Sequence, residues 1–215
     1  MRSHVVISGT GRAGTSFLVE LMTCLGLDTG FSPDKLHDKK NRIARAGLET
    51  DIRNEDAPYV IKNPHFCDYV DEVISRADIS IEHVFVPIRD LNAAAESRRF
   101  VEAIAVANLP WYKQVKNKIK KRKIDGGLWQ TSSGHDQEEV LLNKVYQLLL
   151  GLSKSGIPVT LINYPRLVSD PIYTYKKLKP VLGGMAFDSF EKTFTSIARP
   201  DLVHQFNERD KCEFQ

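Results

Sequence analysis

The stretch HVVISGTGRAGTSFLVELM, residues 4–22, places an apolar run, a glycine-rich turn and an apolar helical pattern in direct succession. This order predicts a strand over His4–Gly9 and a helix over Thr15–Leu25 that ends at Gly26. The backbone N–H groups of such a turn, with the positive end of the following helix, bind an anion without help from side chains. The alternative interpretation is a tight strand-to-helix turn that holds no ligand.

The turn departs from the phosphate-binding loop of nucleotide hydrolases at the position of its lysine. Gly9, Gly14 and Ser16 fit the pattern G-x-x-x-x-G-K-[ST], but Thr15 occupies the lysine position and the cation comes earlier, as Arg12. In those hydrolases the lysine reaches the β- and γ-phosphates and the hydroxyl holds Mg²⁺. Loss of the lysine removes the cation that triphosphate chemistry needs, whereas the forked guanidinium of arginine suits planar contact with an oxyanion.

Strand-like and helix-like segments alternate along the rest of the chain, which predicts parallel βαβ units in one α/β domain over residues 1–215. Two polar or irregular segments, at about 27–57 and 108–136, are interpreted as excursions from this core. Further strands are predicted at 59–61, 82–88 and 158–163, and helices at 38–46, 66–76, 90–107, 137–153, 171–182 and 189–198.

Composition limits the classes of protein and partner. A chain of 215 residues with 42% hydrophobic and 27% charged residues suits one ordinary globular core. The net charge of +3 gives no reason to expect nucleic acid. The three cysteines lack metal-like spacing, and their odd number suits a reducing compartment. Because no apolar stretch reaches the length of about 20 residues that spans a bilayer, and the first strand leaves no room for a signal peptide, we expect a cytoplasmic protein without a membrane span.

A second cation lies where a predicted strand ends. The run VFVPIRD, residues 84–90, is apolar up to Arg89. Ligands of open α/β sheets bind beyond the carboxyl ends of the strands, so Arg89 is expected to face that crevice. Ser97 follows about two helical turns later, near enough for both residues to grip one anion. The structural alternative is a salt bridge from Arg89 to Asp90 or Glu96.

Together these two features resemble the sulfotransferases that use 3′-phosphoadenosine 5′-phosphosulfate (PAPS). In that family the first motif holds the 5′-phosphosulfate and the second holds the 3′-phosphate. An arginine in the loop is similar to the Golgi and bacterial branches, since the cytosolic branch has lysine there. Two further stretches, KNPH at 62–65 and YPRLV at 164–168, agree in order and place. The donor-binding residues that the resemblance implies are Gly11, Arg12, Ala13, Gly14, Thr15, Ser16, Arg89, Ser97 and Tyr164.

The resemblance extends from residue 4 to about residue 182 and implies a P-loop NTPase-like sulfotransferase fold, a three-layer sandwich around a central parallel sheet. It also implies a reaction that requires no metal, because a sulfuryl group carries less negative charge than a terminal phosphoryl group. Cations around the bridging and equatorial oxygens would then stabilise the leaving group, and Arg12 and Lys62 are the catalytic candidates. Lys62 has an alternative interpretation as a solvated lysine at a strand end.

The general base and the closure of the site are less well defined by the sequence. Acceptor activation needs a carboxylate or histidine within hydrogen-bond reach. The candidates are Asp34, His37, Glu49, Asp51 and His65. Family members often place the base after the first helix, which favours Glu49 or His37, and Glu49 is ranked first. The R-K-G loop that closes the site in the cytosolic branch is absent from the sequence. The basic run 116–123 could replace it, grip an anionic acceptor, or be a solvated surface.

The predicted function is therefore transfer of a sulfuryl group from PAPS to a hydroxyl or amine. A P-loop kinase of a small metabolite, or a catalytically inactive nucleotide-binding protein, are the alternatives. The acceptor could be a carbohydrate, lipid, small molecule or peptide, and the two excursions are expected to shape its pocket. Trp111, Tyr112 and Trp129 could stack on a sugar or cover the edge of the core.

Overall fold

In the computed structural model, which describes residues 1–36, 47–108, 126–131 and 134–203, four parallel strands form one sheet. Helices flank this sheet, so the predicted α/β class with a central parallel sheet is confirmed, and the arrangement is consistent with three layers. The order in the sheet is β2-β1-β3-β4, with β1 over Arg2–Ile7, β2 over Val60–Lys62, β3 over Ile79–Ile88 and β4 over Val159–Asn163.

The helices fill the connections between strands and continue beyond β4. They are α1 (Thr15–Cys24), α2 (Val70–Ile74), α3 (Leu91–Ala107), α4 (Gln137–Lys154), α5 (Arg166–Ser169), α6 (Pro171–Leu178) and α7 (Phe187–Ile197). Short 3₁₀ turns lie at Pro33–Lys35, Pro64–Asp68, Gly134–Asp136, Lys179–Val181 and Pro200–Leu202. None of the helices in the described part of the chain is long and apolar enough to cross a membrane.

The sheet is buried on both faces, because alternate residues of its central strands enter two different hydrophobic clusters. Val5 and Ile7 of β1 join the cluster that contains α1, α6 and α7, whereas Val6 joins the cluster that contains α2 and α4. In the same way Phe85 of β3 lies on the first side and Val84 on the second. This double coverage explains why the strands read as nearly continuous apolar runs.

Proline in an interior strand is unusual because it cannot donate to the ladder. Pro87 is tolerated here because β1 and β3 pair only up to Ile7 and Phe85, so β1 has ended before it would need the missing N–H. The same early end of β1 leaves the segment from Ser8 onward free to turn across the carboxyl edge of the sheet.

Several predicted boundaries differ from the structure. The predicted helix over 66–76 is wrong in its first half, because Pro64 starts a 3₁₀ turn and the Asn63 side chain accepts a hydrogen bond from His65 N. The helix predicted over 171–182 ends at Leu178, since Pro180 lacks the N–H that would continue it. The helix predicted at 38–46 lies outside the described residues.

The order of the strands fixes where a ligand can bind. The connection from β1 leads to β2 on one side, and the chain then crosses to β3 on the other side of β1. The crevice between β1 and β3 at their carboxyl ends is therefore the topological switch point, the position where open α/β sheets bind their ligands. The glycine-rich loop and Arg89 both lie there.

Candidate functional site

The loop between β1 and α1 has a backbone that most residue types avoid. Gly11 and Gly14 have φ values of 64° and 84°, and Arg12 between them has φ of 56°. Left-handed φ is costly for a residue with a side chain, so the loop holds Arg12 in a strained conformation. Non-glycine residues in this region occur most often at binding and catalytic sites, where surrounding structure holds them in place.

Three successive carbonyl groups of this loop accept hydrogen bonds from side chains, two of which lie outside the loop. Arg98 Nη2 donates to Thr10 O at 2.6 Å, Thr10 Oγ1 donates to Gly11 O at 2.9 Å, and Arg89 Nη1 donates to Arg12 O at 3.1 Å. In a trans peptide the C=O and the next N–H point in opposite directions. The N–H groups of Gly11, Arg12 and Ala13 are therefore directed away from these donors. Successive N–H groups that converge on one point form anion-binding nests in other proteins, and this row is the candidate nest of the site.

The nest continues into the first turn of α1. Thr15, Ser16 and Phe17 form that turn without a carboxylate, so the positive end of the helix is not neutralised by its own residues. Gly14 precedes it at a point of close packing, where a Cβ would lie 2.9 Å from Cδ2 of Leu167 and 3.1 Å from Cδ2 of Tyr164. The segment after β4 thus fixes the start of the helix against the loop.

Arg89, Ser97 and Arg12, which the sequence analysis assigned to two parts of a donor site, lie close together. Arg12 Nε donates to Ser97 Oγ at 3.0 Å, and the Arg89 guanidinium carbon lies 5.2 Å from the centre of the Tyr164 ring. Burial lowers the pKa of Arg89, which nevertheless stays charged at neutral pH. The residues proposed for donor binding after β1, after β3, on α3 and after β4 are therefore neighbours.

The two carboxylates in the salt-bridge alternative for Arg89 also have other partners. Asp90 caps α3, where its Oδ1 accepts from Ala93 N at 2.9 Å. Glu96 pairs with Arg99 at 2.9 Å.

Lys62 is not the solvated strand-end lysine of the alternative interpretation, because only 2% of it is exposed. Its Nζ donates to Ser16 Oγ at 3.0 Å, to Glu49 Oε1 at 2.8 Å and to the carbonyl of Gly47. The carboxylate of Glu49 remains about two-fifths exposed, so one face of this ion pair reaches solvent. Ser16 therefore connects the start of α1 to Lys62 at the end of β2, and Lys62 in turn holds Glu49.

The other base candidates have different surroundings. Asp51 pairs with Arg53 at 2.7 Å, and this contact lowers the pKa of Asp51. The ring of His65 meets that of Trp129 edge to face at 4.9 Å. Asp34 lies in a 3₁₀ turn of the first excursion. His37 and the basic run 116–123 lie outside the described residues.

Sequence reasoning missed Arg98, which reads as part of a charged run on a helix. Its side chain is buried on α3, and besides Thr10 O it donates to Gly127 O at 2.6 Å. Burial, together with the smaller effect of the nearby charge of Arg12, lowers the pKa of Arg98 to about 10. The helical spacing could have indicated the burial of Arg98. It lies four residues after Ala94 and three before Val101, so it shares a helix face with these two buried residues.

The segment 126–131 is partly core rather than an excursion. Trp129 is 3% exposed and belongs to the hydrophobic cluster that contains α2 and α4. Its ring therefore covers the core, which was the alternative to stacking on a sugar. Its backbone N–H donates to Gln137 Oε1 at 2.7 Å. Trp111 and Tyr112 lie outside the described residues.

In the described part of the chain, no group of three or more His, Cys, Asp and Glu side chains is placed to hold a metal ion. Comparisons of the chain with protein-family models, with curated proteins and with solved structures found no significant match. The chemistry of the site must therefore be inferred from its own residues: a nest of N–H groups, a helix N-terminus, two arginines and a buried lysine.

Proposed function

We propose that the protein is a sulfotransferase that moves a sulfuryl group from PAPS to a hydroxyl or amine of an acceptor, on a P-loop-like sulfotransferase fold. The observation that carries the proposal is the meeting of the two anion-binding parts. Arg12 Nε donates to Ser97 Oγ at 3.0 Å, and Arg89 Nη1 donates to the Arg12 carbonyl at 3.1 Å. Adjacent grips for two anions suit a donor that carries phosphate groups at two positions.

In this proposal each group has a separate role. The N–H groups of the loop and the first turn of α1 hold the 5′-phosphosulfate, and Arg89 with Ser97 holds the 3′-phosphate. The S–O bond to the donor's bridging oxygen breaks while a bond forms between sulfur and the acceptor oxygen. Arg12 and Lys62 stabilise the negative charge that grows on the leaving phosphate, and Glu49 accepts the proton from the acceptor.

The contact of Lys62 with Ser16 and Glu49 supports these roles, since it brings the candidate cation and the candidate base to the same edge of the loop. A carboxylate that is paired with a lysine is a weaker base than a free one, so acceptor binding has to loosen the pair. The acceptor is a carbohydrate, lipid, small molecule or peptide. A cytoplasmic location remains part of the same proposal.

A ligand screen by thermal shift tests the donor class. Adenosine 3′,5′-bisphosphate is expected to raise the melting temperature without divalent metal, and ATP is expected to raise it less, with or without Mg²⁺. A response to ATP that depends on Mg²⁺ and exceeds that to the bisphosphate would favour the kinase alternative.

Turnover separates an enzyme from an inactive nucleotide-binding protein. Radiolabelled PAPS is supplied with pooled acceptors of the four classes, and transfer of label is measured. Arg12→Ala is expected to lower turnover on the order of 10²–10³-fold, the effect of removing one oxyanion donor. Its affinity for the product nucleotide is expected to fall much less, because backbone N–H groups hold the ground-state anion. Normal turnover of Arg12→Ala under saturating donor would contradict the assigned role.

A further inference from the structure

Arg98 bridges two segments that are far apart in sequence and meet at the back of the site. One branch of its guanidinium binds Thr10 O in the loop, and the other binds Gly127 O, both at 2.6 Å. The guanidinium carbon also lies 5.1 Å from the centre of the Trp129 ring. The planar fork makes this double contact rigid, because moving one carbonyl turns the whole group.

The bridge carries a charge that is poorly compensated. Among the residues that the structure describes, no carboxylate pairs with Arg98, and its Nε has no hydrogen-bond partner. Two further buried donors also lack partners among the described residues. They are Nε1 of Trp129, whose ring lies beside the guanidinium, and Nε2 of Gln137, whose Oε1 accepts from Trp129 N. Buried donors without acceptors are costly, so the cluster gains stability from any added negative charge nearby.

The loop is in direct contact with this cluster. A Cβ placed on Gly11 would lie 2.8 Å from Arg98 Nη2, so Gly11 packs directly against the guanidinium. On the other side, the N–H groups of Leu128 and Trp129 are fixed by Glu102 Oε2 at 3.2 Å and Gln137 Oε1 at 2.7 Å. A displacement of Gly127 therefore changes the environment of the whole segment 126–131.

We propose that Arg98 is a positioning residue that couples anion binding in the loop to the position of the segment 126–131, which lies within the second predicted excursion. An anion in the nest pulls the N–H groups of the loop inward, and the bridge transmits that shift from Thr10 O to Gly127 O. Because the second excursion is expected to shape the acceptor pocket, donor binding thereby changes the shape of that pocket. The inference rests on the proposed function for its purpose, but the coupling itself can be measured with any anion.

Fluorescence of Trp129 reports the coupling, after Trp111→Phe has removed the other tryptophan of the chain. In this background Gly11→Ala is expected to change Trp129 emission with no ligand present. Adding Arg98→Met is expected to abolish the change, and adding Arg99→Met is expected to preserve it. Arg99 is the matched control, because it lies on the same helix and binds Gly134 O rather than the loop.

The second arm uses sodium pyrophosphate and adenosine 3′,5′-bisphosphate as probes. Trp129 emission is expected to change with the same midpoint as calorimetric binding. Arg98→Lys retains the charge but cannot reach both carbonyls, so it is expected to lose the emission response while Kd rises less than about threefold. Arg98→Met is expected to raise Kd about tenfold, within the usual range of coupling between sites.

The third arm needs neither ligand nor a loop variant that folds poorly. Amide exchange of Leu128 and Trp129 is expected to accelerate in Arg98→Met but not in Arg99→Met, while exchange of β4 stays unchanged. Equal acceleration across the chain, or unchanged exchange at these two amides, would overturn the proposal. An emission response that survives in Arg98→Met would do the same. If the coupling appears but the bisphosphate does not bind, the coupling stands and the sulfotransferase proposal fails.

Discussion

Gly14→Ala is expected to destabilise the protein more than Gly26→Ala, although both glycines flank α1 with a left-handed backbone. The values of φ are 84° and 87°, so backbone strain alone costs about 1–2 kcal/mol at either position. The Cβ added at Gly14 lies 2.9 Å from Cδ2 of the buried Leu167, whereas the Cβ at Gly26 has no described atom within 4 Å. Overpacking adds about 1–3 kcal/mol. The expected losses are therefore about 2–5 kcal/mol at Gly14 and about 1–2 kcal/mol at Gly26.

Urea unfolding followed by circular dichroism measures both losses by linear extrapolation. Calorimetric titration with pyrophosphate is the second readout, because displacement at Gly14 moves the first turn of α1 and weakens anion binding. Gly26→Ala, at the far end of the helix, is expected to leave that affinity unchanged. Equal losses of unfolding free energy in the two variants would refute the close packing of the loop against Leu167.

Three further predictions concern other buried groups. Lys62→Met is expected to lower turnover about 10²-fold in the labelled-donor assay. Unfolding titrations should show a change in the free energy of unfolding of less than about 2 kcal/mol, since Glu49 keeps its contact with water. Burial lowers the pKa of His4 in the folded protein below its ordinary 6.5. Above pH 6.5 the neutral ring therefore contributes fully to stability, and this contribution is lost as the pH falls through the lower pKa of the folded state. Unfolding free energy should thus fall less steeply from about pH 7 to 5 in His4→Asn, and an identical slope would contradict this. Burial raises the pKa of Cys67 to about 12, so iodoacetamide should modify Cys24 before Cys67 in the folded chain; mass spectrometry that finds Cys67 alkylated first would oppose that expectation.

The sequence was sufficient for the elements whose signals are local. An apolar run, a glycine-rich turn and a helical pattern predicted β1, the loop and α1, because each depends on residues that are neighbours along the chain. The parallel sheet followed from the alternation of elements. Asn63 and Pro64 favour the start of a helical turn at this point, and the 3₁₀ turn Pro64–Asp68 replaces the first half of the helix predicted over 66–76.

Residues whose role depends on distant parts of the chain could not be predicted in the same way. Lys62 at the end of a short strand looks solvated until Gly47 and Glu49 are found around its amine. Arg98 resembles a surface arginine because its partners, Thr10 and Gly127, lie 88 and 29 residues away. In both cases burial of the charge is determined by tertiary contacts, which periodicity does not record.

Binding of adenosine 3′,5′-bisphosphate, measured by calorimetry without divalent metal, tests the central claim most directly. The account predicts micromolar or tighter affinity, and a loss of about 2–3 kcal/mol for adenosine 5′-phosphosulfate, which lacks the 3′-phosphate. Arg89→Ala should weaken the bisphosphate more than it weakens the ligand without a 3′-phosphate, and Ser97→Ala should do the same more mildly. Equal affinity for the two ligands in the wild-type protein, or an Arg89→Ala variant that melts at lower temperature but binds normally, would contradict the account.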